Sequence, residues 1–199
     1  MSLLSSATCT SGATTNPNRV LVVDKSFDLK TADPHLELSA TSAMLAKALY
    51  STLLTFAAGD MSTPVPSLAE SYSSSEDARR FTFKLRPHVV FSDGTPLTSA
   101  DVVFSFDRLS KLNGPPSMML AGVTALAPDP STVVLTSTDP NAAIPFIVAN
   151  PAFAIVNSKL LGTGPYVLKS FSTFSDIELT ATRVAGDRSP STAGLSSAT

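Results

Sequence analysis

Three observations predict a mixed α/β (α+β) domain. Apolar residues recur at spacings of three and four between Ser39 and Phe56, then alternate with polar ones over Phe81–Leu85. The helical spacing returns after Thr98. The segment "FSDGTPLTSADVVFSFDRL" (Phe91–Leu109) reads in succession as a strand end, a turn, a cap and an amphipathic helix. Of the 199 residues 43% are hydrophobic, enough for a core beneath five or more strands and two or three helices.

Residues 1–18 are rich in Ser, Thr, Asn and Gly and are expected to form a disordered tail. Arg19–Lys25 ("RVLVVDK") is a β-branched run and reads as a buried strand. Asp33-Pro34 then breaks any regular element. Leu45, Leu49, Leu53 and Phe56, widened by Met44 and Ala48, form one apolar face. They predict a helix over Ser39–Phe56 that Gly59 can stop. Ser62–Tyr72 ("STPVPSLAESY") reads as an irregular connection. Phe81, Phe83 and Leu85 alternate with Thr82 and Lys84, so this strand has one buried face.

Val89–Phe91 is the expected hairpin partner of that strand, and Ser92-Asp93-Gly94 the next turn. Thr98 can cap a helix starting near Ser99 by accepting a bond from a free backbone N–H. Asp101 falls in the positive first turn. Val102, Val103, Phe106 and Leu109 make the buried stripe. A loop, "NGPPSMM", precedes a strand at Ser131–Thr138. Pro145 suits the first turn of a short helix. Ala152–Asn157 is a strand candidate. Gly162–Tyr166 is a tight turn into "VLKSF", which pairs with Asp176–Thr182. Residues 183–199 are again polar and unpatterned. The expected division is a tail over 1–18, a folded unit over 19–182 and a tail over 183–199.

A net charge of −2 with no Lys/Arg block argues against nucleic-acid binding through a basic surface. No apolar run approaches the roughly 18 residues of a spanning helix. The single cysteine, Cys9, excludes an internal disulfide. It is either a plain thiol in a tail or the lipid-bearing first residue of an exported lipoprotein. Thr8 stands before it, where small Gly or Ala is usual at such a cleavage site.

The chain offers little for catalysis. His35 could pair with Glu37 at a metal, but two ligands without Cys or a further His make a poor site. Both His35 and His88 read as solvated or edge residues. A Ser–His–Asp hydrolase lacks its "GxSxG" elbow. No enzyme activity and no cofactor are expected.

A series of motifs stands in a recognisable order: "LKTADPH", "ALYSTLLTF", "PVPSLAESY", "FTFKLRPHVVFSDGTPLTSADVVFSFDRL" and "GTGPYVLKSF". From Arg19 to Thr182 the chain resembles the extracytoplasmic solute-binding proteins of dipeptide, oligopeptide and nickel ABC importers, bacterial family 5. The resemblance implies a periplasmic-binding-protein type II-like fold with two lobes around a cleft. This sequence would supply part of the first lobe. It departs from the pattern where only Leu161 separates "VNSKL" from "GTGPY", and where "RVAGDRSP" replaces an aromatic "NPDYW"-like motif. The second lobe, with the acidic residue that commonly holds a peptide amino terminus, has no counterpart here.

By the same resemblance the loop after the first strand faces the cleft, which selects Leu36 and Glu37 as ligand contacts. Met119, Asn150 and Phe153 are selected from "PSMML" and "ANPAF". The implied ligand is an oligopeptide or other small solute, the implied partners are ABC permease subunits in the membrane, and the implied location is extracytoplasmic, either periplasmic or lipid-anchored at the outer face of the cell membrane. Weak peptide binding, or none, is expected of this chain alone. The competing reading is a non-transporting interaction protein that associates through an incomplete sheet edge.

Overall fold

The computed structural model describes residues 30–171 and 177–182. The expected tails, the Arg19–Lys25 strand and Cys9 lie outside the described residues. Among the described residues, three α-helices run over Ala40–Leu49 (α1), Ser99–Leu112 (α2) and Ile144–Ile147 (α3). Eight strands are Leu54–Phe56 (β1), Pro64–Pro66 (β2), Ala69–Ser74 (β3), Arg80–Leu85 (β4), Val123–Asp129 (β5), Thr132–Ser137 (β6), Tyr166–Phe171 (β7) and Ile177–Ala181 (β8). Short 3-10 segments occupy Pro115–Leu120 and Pro151–Phe153.

The largest sheet is antiparallel in the order β3-β4-β6-β5. β4 is central, and its alternation puts Phe81, Phe83 and Leu85 into the core opposite Val133 and Leu135 of β6. α2 packs on β5 and β6 and contributes Val102, Phe106 and Leu109 to the same core, as its stripe predicts. Val103 is only half-buried. Asp101 accepts bonds from both the Thr98 backbone N–H (2.9 Å) and the Thr98 hydroxyl (2.8 Å). The acidic side chain thus reaches back over the first turn, where the helix dipole favours it. At the other end Asn113 adopts the left-handed conformation that suits a helix stop.

Several expectations are corrected. Val89–Phe91 does not pair with β4, because both edges of β4 are taken by β3 and β6. These residues instead turn back on themselves: the N–H of Leu97 bonds the carbonyl of Val89, and that of Phe91 bonds Thr95. The Ser92–Gly94 turn is retained, with Gly94 at φ +83°. Ser62–Tyr72 is not irregular but carries β2 and the start of β3. Ala152–Asn157 holds a 3-10 turn and one isolated bridge, Ser51 to Ile155, rather than a strand. β5 has no counterpart among the expected strands.

Helix α1 ends at Leu49, about two turns before its apolar pattern does. Tyr50 is extended, Leu53 and Leu54 enter the main core from irregular chain and β1, and Met44 is 58% exposed. The stop is supplied from far away in sequence. Gly164 donates its N–H to the Leu49 carbonyl at 3.0 Å. A Cβ on Gly164 would lie 2.4–2.6 Å from backbone atoms of Ala48 and Leu49, and one on Gly162 would lie 2.2 Å from the Leu49 carbonyl oxygen. The glycines of "GTGPY" therefore let one chain segment seal the open end of another. Gly59, expected to stop the helix, sits at φ +79° in the turn joining β1 to β2. Beside this seal, β7 and β8 pair antiparallel, and Leu45 and Leu49 pack against Tyr166, Leu168 and Leu179 in a second small core.

Candidate functional site

The loop between Asp33 and Ser39 is held by a buried polar cluster. The Arg108 guanidinium, projecting from α2, forks onto the Asp33 carboxylate through Nη1 to Oδ1 (3.0 Å) and Nη2 to Oδ2. Its Nη1 also reaches His35 Nδ1 at 2.9 Å. Guanidinium can only donate, so Nδ1 accepts and the proton of the neutral ring sits on Nε2. Nε2 then donates to the Ala154 carbonyl at 2.9 Å. His35 is 1% exposed, so the expected solvated histidine is corrected. Both of its nitrogens are engaged within the protein. His88 is exposed, at φ +60° after β4.

Burial and the adjacent guanidinium push His35 below its ordinary pKa, against the opposing pull of the Ala154 carbonyl and Asp33. Burial alone would raise Asp33. The Arg108 bonds and the His35 backbone N–H outweigh it and hold the carboxyl below its usual range. The cluster is therefore a neutral imidazole beside a carboxylate–guanidinium pair. It ties the loop to α2 and to the chain after Phe153.

That anchoring fixes where the loop hands over to α1. Ser39 caps α1: its hydroxyl accepts the Ser42 N–H at 3.1 Å, and the Ser42 hydroxyl accepts the Ser39 N–H at 3.0 Å. Gly114 passes so close that an added Cβ would stand 3.1 Å from the His35 carbonyl oxygen. The Pro115–Leu120 segment is thereby delivered beside the loop. A pocket of about 310 Å³ results, lined by Pro34 and Glu37–Ser39, by Ser42, Ala43 and Ala46 of α1, by Met119, and by Asn150 and Ala152.

Three of the five selected ligand residues, Glu37, Met119 and Asn150, meet in this pocket. Glu37 Oε2 is buried and has no hydrogen-bond partner among the described residues. Asn150 Oδ1 accepts the Ala152 N–H at 3.0 Å, capping the 3-10 turn from its start. Met119 is 40% exposed. Leu36 is equally exposed but does not line the pocket, and Phe153 is 2% exposed within the main core. Sequence reasoning missed Ser39 and Ser42, although the Ser-x-x-Ser spacing was legible as a cap. It also missed the Asp33–Arg108–His35 cluster, in which Arg108 lies 73–75 residues from its two partners and carries no local signal.

Comparison with known proteins agrees with the fold. Residues 63–183 match the family model of bacterial extracellular solute-binding proteins, family 5 Middle. The chain is 32% identical over 176 residues to the probable D,D-dipeptide-binding periplasmic protein DdpA of Escherichia coli K12, covering 78% of this chain and 34% of that protein. It is 30% identical over 139 residues to the probable peptide ABC transporter periplasmic-binding protein y4tO of Sinorhizobium fredii, covering 69% of this chain and 26% of that one. Among solved structures it matches AgaA of A. tumefacien R10, bound to agropinic acid, with a TM-score of 0.70 and 28% identity, over 77% of this chain and 34% of that one. The chain thus spans about a third or less of each of these relatives, and its fold is that of part of a type II-like periplasmic binding protein. By the match over residues 63–183 and the architecture that carries it, the chain belongs to the bacterial extracellular solute-binding proteins of family 5.

Proposed function

We propose that the chain forms part of the first lobe of a peptide-binding component of a bacterial ABC importer, acting outside the cytoplasm and delivering its ligand to membrane permeases. The observation that carries this is the pocket itself. Glu37, Met119 and Asn150, from three separate segments, converge on one concave surface in a fold whose relatives include a probable D,D-dipeptide-binding periplasmic protein and a probable peptide ABC transporter periplasmic-binding protein. A concave wall with an adaptable thioether and a few polar groups suits an extended peptide of variable side chains. Nothing in this role requires chemistry on the ligand. Anchoring through an acylated Cys9, with the folded unit beginning near residue 19, belongs to the same proposal.

One wall leaves much of a ligand hydrated. Loss of a single buried charge partner costs about 2–5 kcal/mol, roughly 30- to 5,000-fold in affinity. The 199-residue chain is therefore expected to bind di- to pentapeptides in the millimolar range. An NMR titration should move the Glu37, Met119 and Asn150 resonances together and saturably. Peptide-induced shifts confined to residues away from this pocket would overturn the assignment of the site.

A second reading rests on β5. This strand pairs with β6 on one side only among the described residues, and it exposes Leu126. Association of two copies along this edge would double the scattering mass over the micromolar range. Pro128 within the strand opposes it by removing one donor from the edge.

A further inference from the structure

We propose that the pocket beside α1 is a subsite for one positively charged group on an aliphatic stem, a lysine- or arginine-like side chain or a primary amine, with Glu37 as its counter-ion. As a specificity for peptide side chains this rests on the peptide-binding reading above; as a site for an alkylammonium group it does not.

Most polar groups around the pocket wall are already engaged. The Ser39 and Ser42 hydroxyls cap each other's backbone N–H groups. Asn150 Oδ1 holds the Ala152 N–H. The Asn150 amide nitrogen and the Glu37 carboxylate are left, and one Glu37 oxygen is buried and lacks any donor among the described residues. A carboxylate with one oxygen shut off from water calls for a donor at that oxygen, and a cationic donor answers it best. Arg108, the cation that serves this loop, is committed to Asp33 and His35.

The remaining wall is apolar. Leu38, Ala43, Ala46, Met119 and Ala152 offer hydrocarbon to a methylene stem, as long cationic side chains require. At about 310 Å³ the pocket is at the small end of ligand sites, which span roughly 300–1,000 Å³, so it admits one side chain rather than a whole peptide. An anionic group fits poorly. The start of α1 contributes only about half a positive charge, with the Ser42 N–H already capped, and that is outweighed by the full charge of Glu37.

The test uses the full chain with two matched pairs of probes, n-butylammonium against n-butanol, and Ala-Lys-Ala against Ala-norleucine-Ala. Amide shifts of the pocket residues report binding. The cationic member of each pair should bind about tenfold tighter or more, the discrimination a partly desolvated charge pair supplies. Glu37→Gln, which keeps shape and removes charge, should bring both ratios to about one. Ala43→Leu, which fills the pocket while sparing Glu37, should remove binding of all four probes and guards against misfolding of the first variant. Equal affinities within both pairs, or a preference that survives Glu37→Gln, overturns the subsite. Peptides that saturate the pocket without preferring lysine sink this inference alone. A preference for butylammonium with no peptide binding supports the subsite and sinks the peptide reading.

Discussion

Arg108→Met removes the group on which the Asp33–Ser39 loop hangs. The fork to Asp33 and the bond to His35 Nδ1 are three donor contacts from one guanidinium, and the Arg108 and Asp33 side chains are only 19% and 13% exposed. Methionine keeps most of the volume but leaves the Asp33 carboxylate and His35 Nδ1 without their donor. Breaking a buried pair by removing one partner costs about 3–5 kcal/mol. With residual exposure on both sides the lower end, about 3 kcal/mol, is expected. Urea unfolding at pH 7 should show it as a shifted midpoint with unchanged slope.

The deficit should also depend on pH in a defined direction. In the wild type the Asp33 carboxyl is held below its unfolded value of 3.8. Its contribution to stability is therefore present above pH 3.8 and lost as pH falls through the folded value. In the variant the His35 backbone N–H remains but the Arg108 bonds no longer offset burial, so Asp33 is more easily protonated. The gap between wild type and variant should narrow steadily below about pH 5. A loss under about 1 kcal/mol at pH 7, or a gap that stays constant down to about pH 3, would refute the view that this pair anchors the loop.

Two further outcomes concern the frame around the site. Gly164→Ala should lower stability by about 1–3 kcal/mol, because its methyl group meets the backbone of Ala48 and Leu49 at 2.4–2.6 Å; calorimetry that finds no change in melting temperature would remove the seal from the end of α1. Phe106→Ala should cost about 3–5 kcal/mol from the main core, read as the midpoint of thermal unfolding, and an unchanged midpoint would contradict the packing of α2 on the sheet.

What was legible in the sequence depended on whether the cause was local. β4 and α2 follow from alternation, a cap and a three–four stripe, because each buries one face of its own regular element. β3 and β5 were missed because they are edge strands in the large sheet. "AESYSS" and "VTALAPD" are poor strand formers, and their order comes from the ladder of β4 or β6. The length of α1 was overread because the apolar pattern runs on through Leu53 and Phe56, while the actual stop depends on Gly164, far down the chain. Of the site, Glu37, Met119 and Asn150 came together from a family pattern. Phe153 could not be told from a wall residue, since an apolar ring serves core and cleft equally well. The burial of His35 rests wholly on distant partners.

Those distant partners impose an order on the protein's synthesis. His35 emerges 119 residues before Ala154, the residue whose carbonyl accepts its Nε2–H hydrogen bond. At about 5–20 residues per second, roughly 6–24 s pass between the two. Throughout that interval the loop bearing Glu37 has no finished anchor, even though Arg108 emerges partway through and can already hold Asp33. α1 remains unsealed longer still, until Gly164 arrives. Chains arrested before residue 154 should therefore leave the Asp33–Ser39 loop open to proteolysis, and those arrested past residue 164 should protect it. The Asp33–Ser39 loop, among the first of the described residues to be made, is thus anchored only once residues much later in the chain are in place.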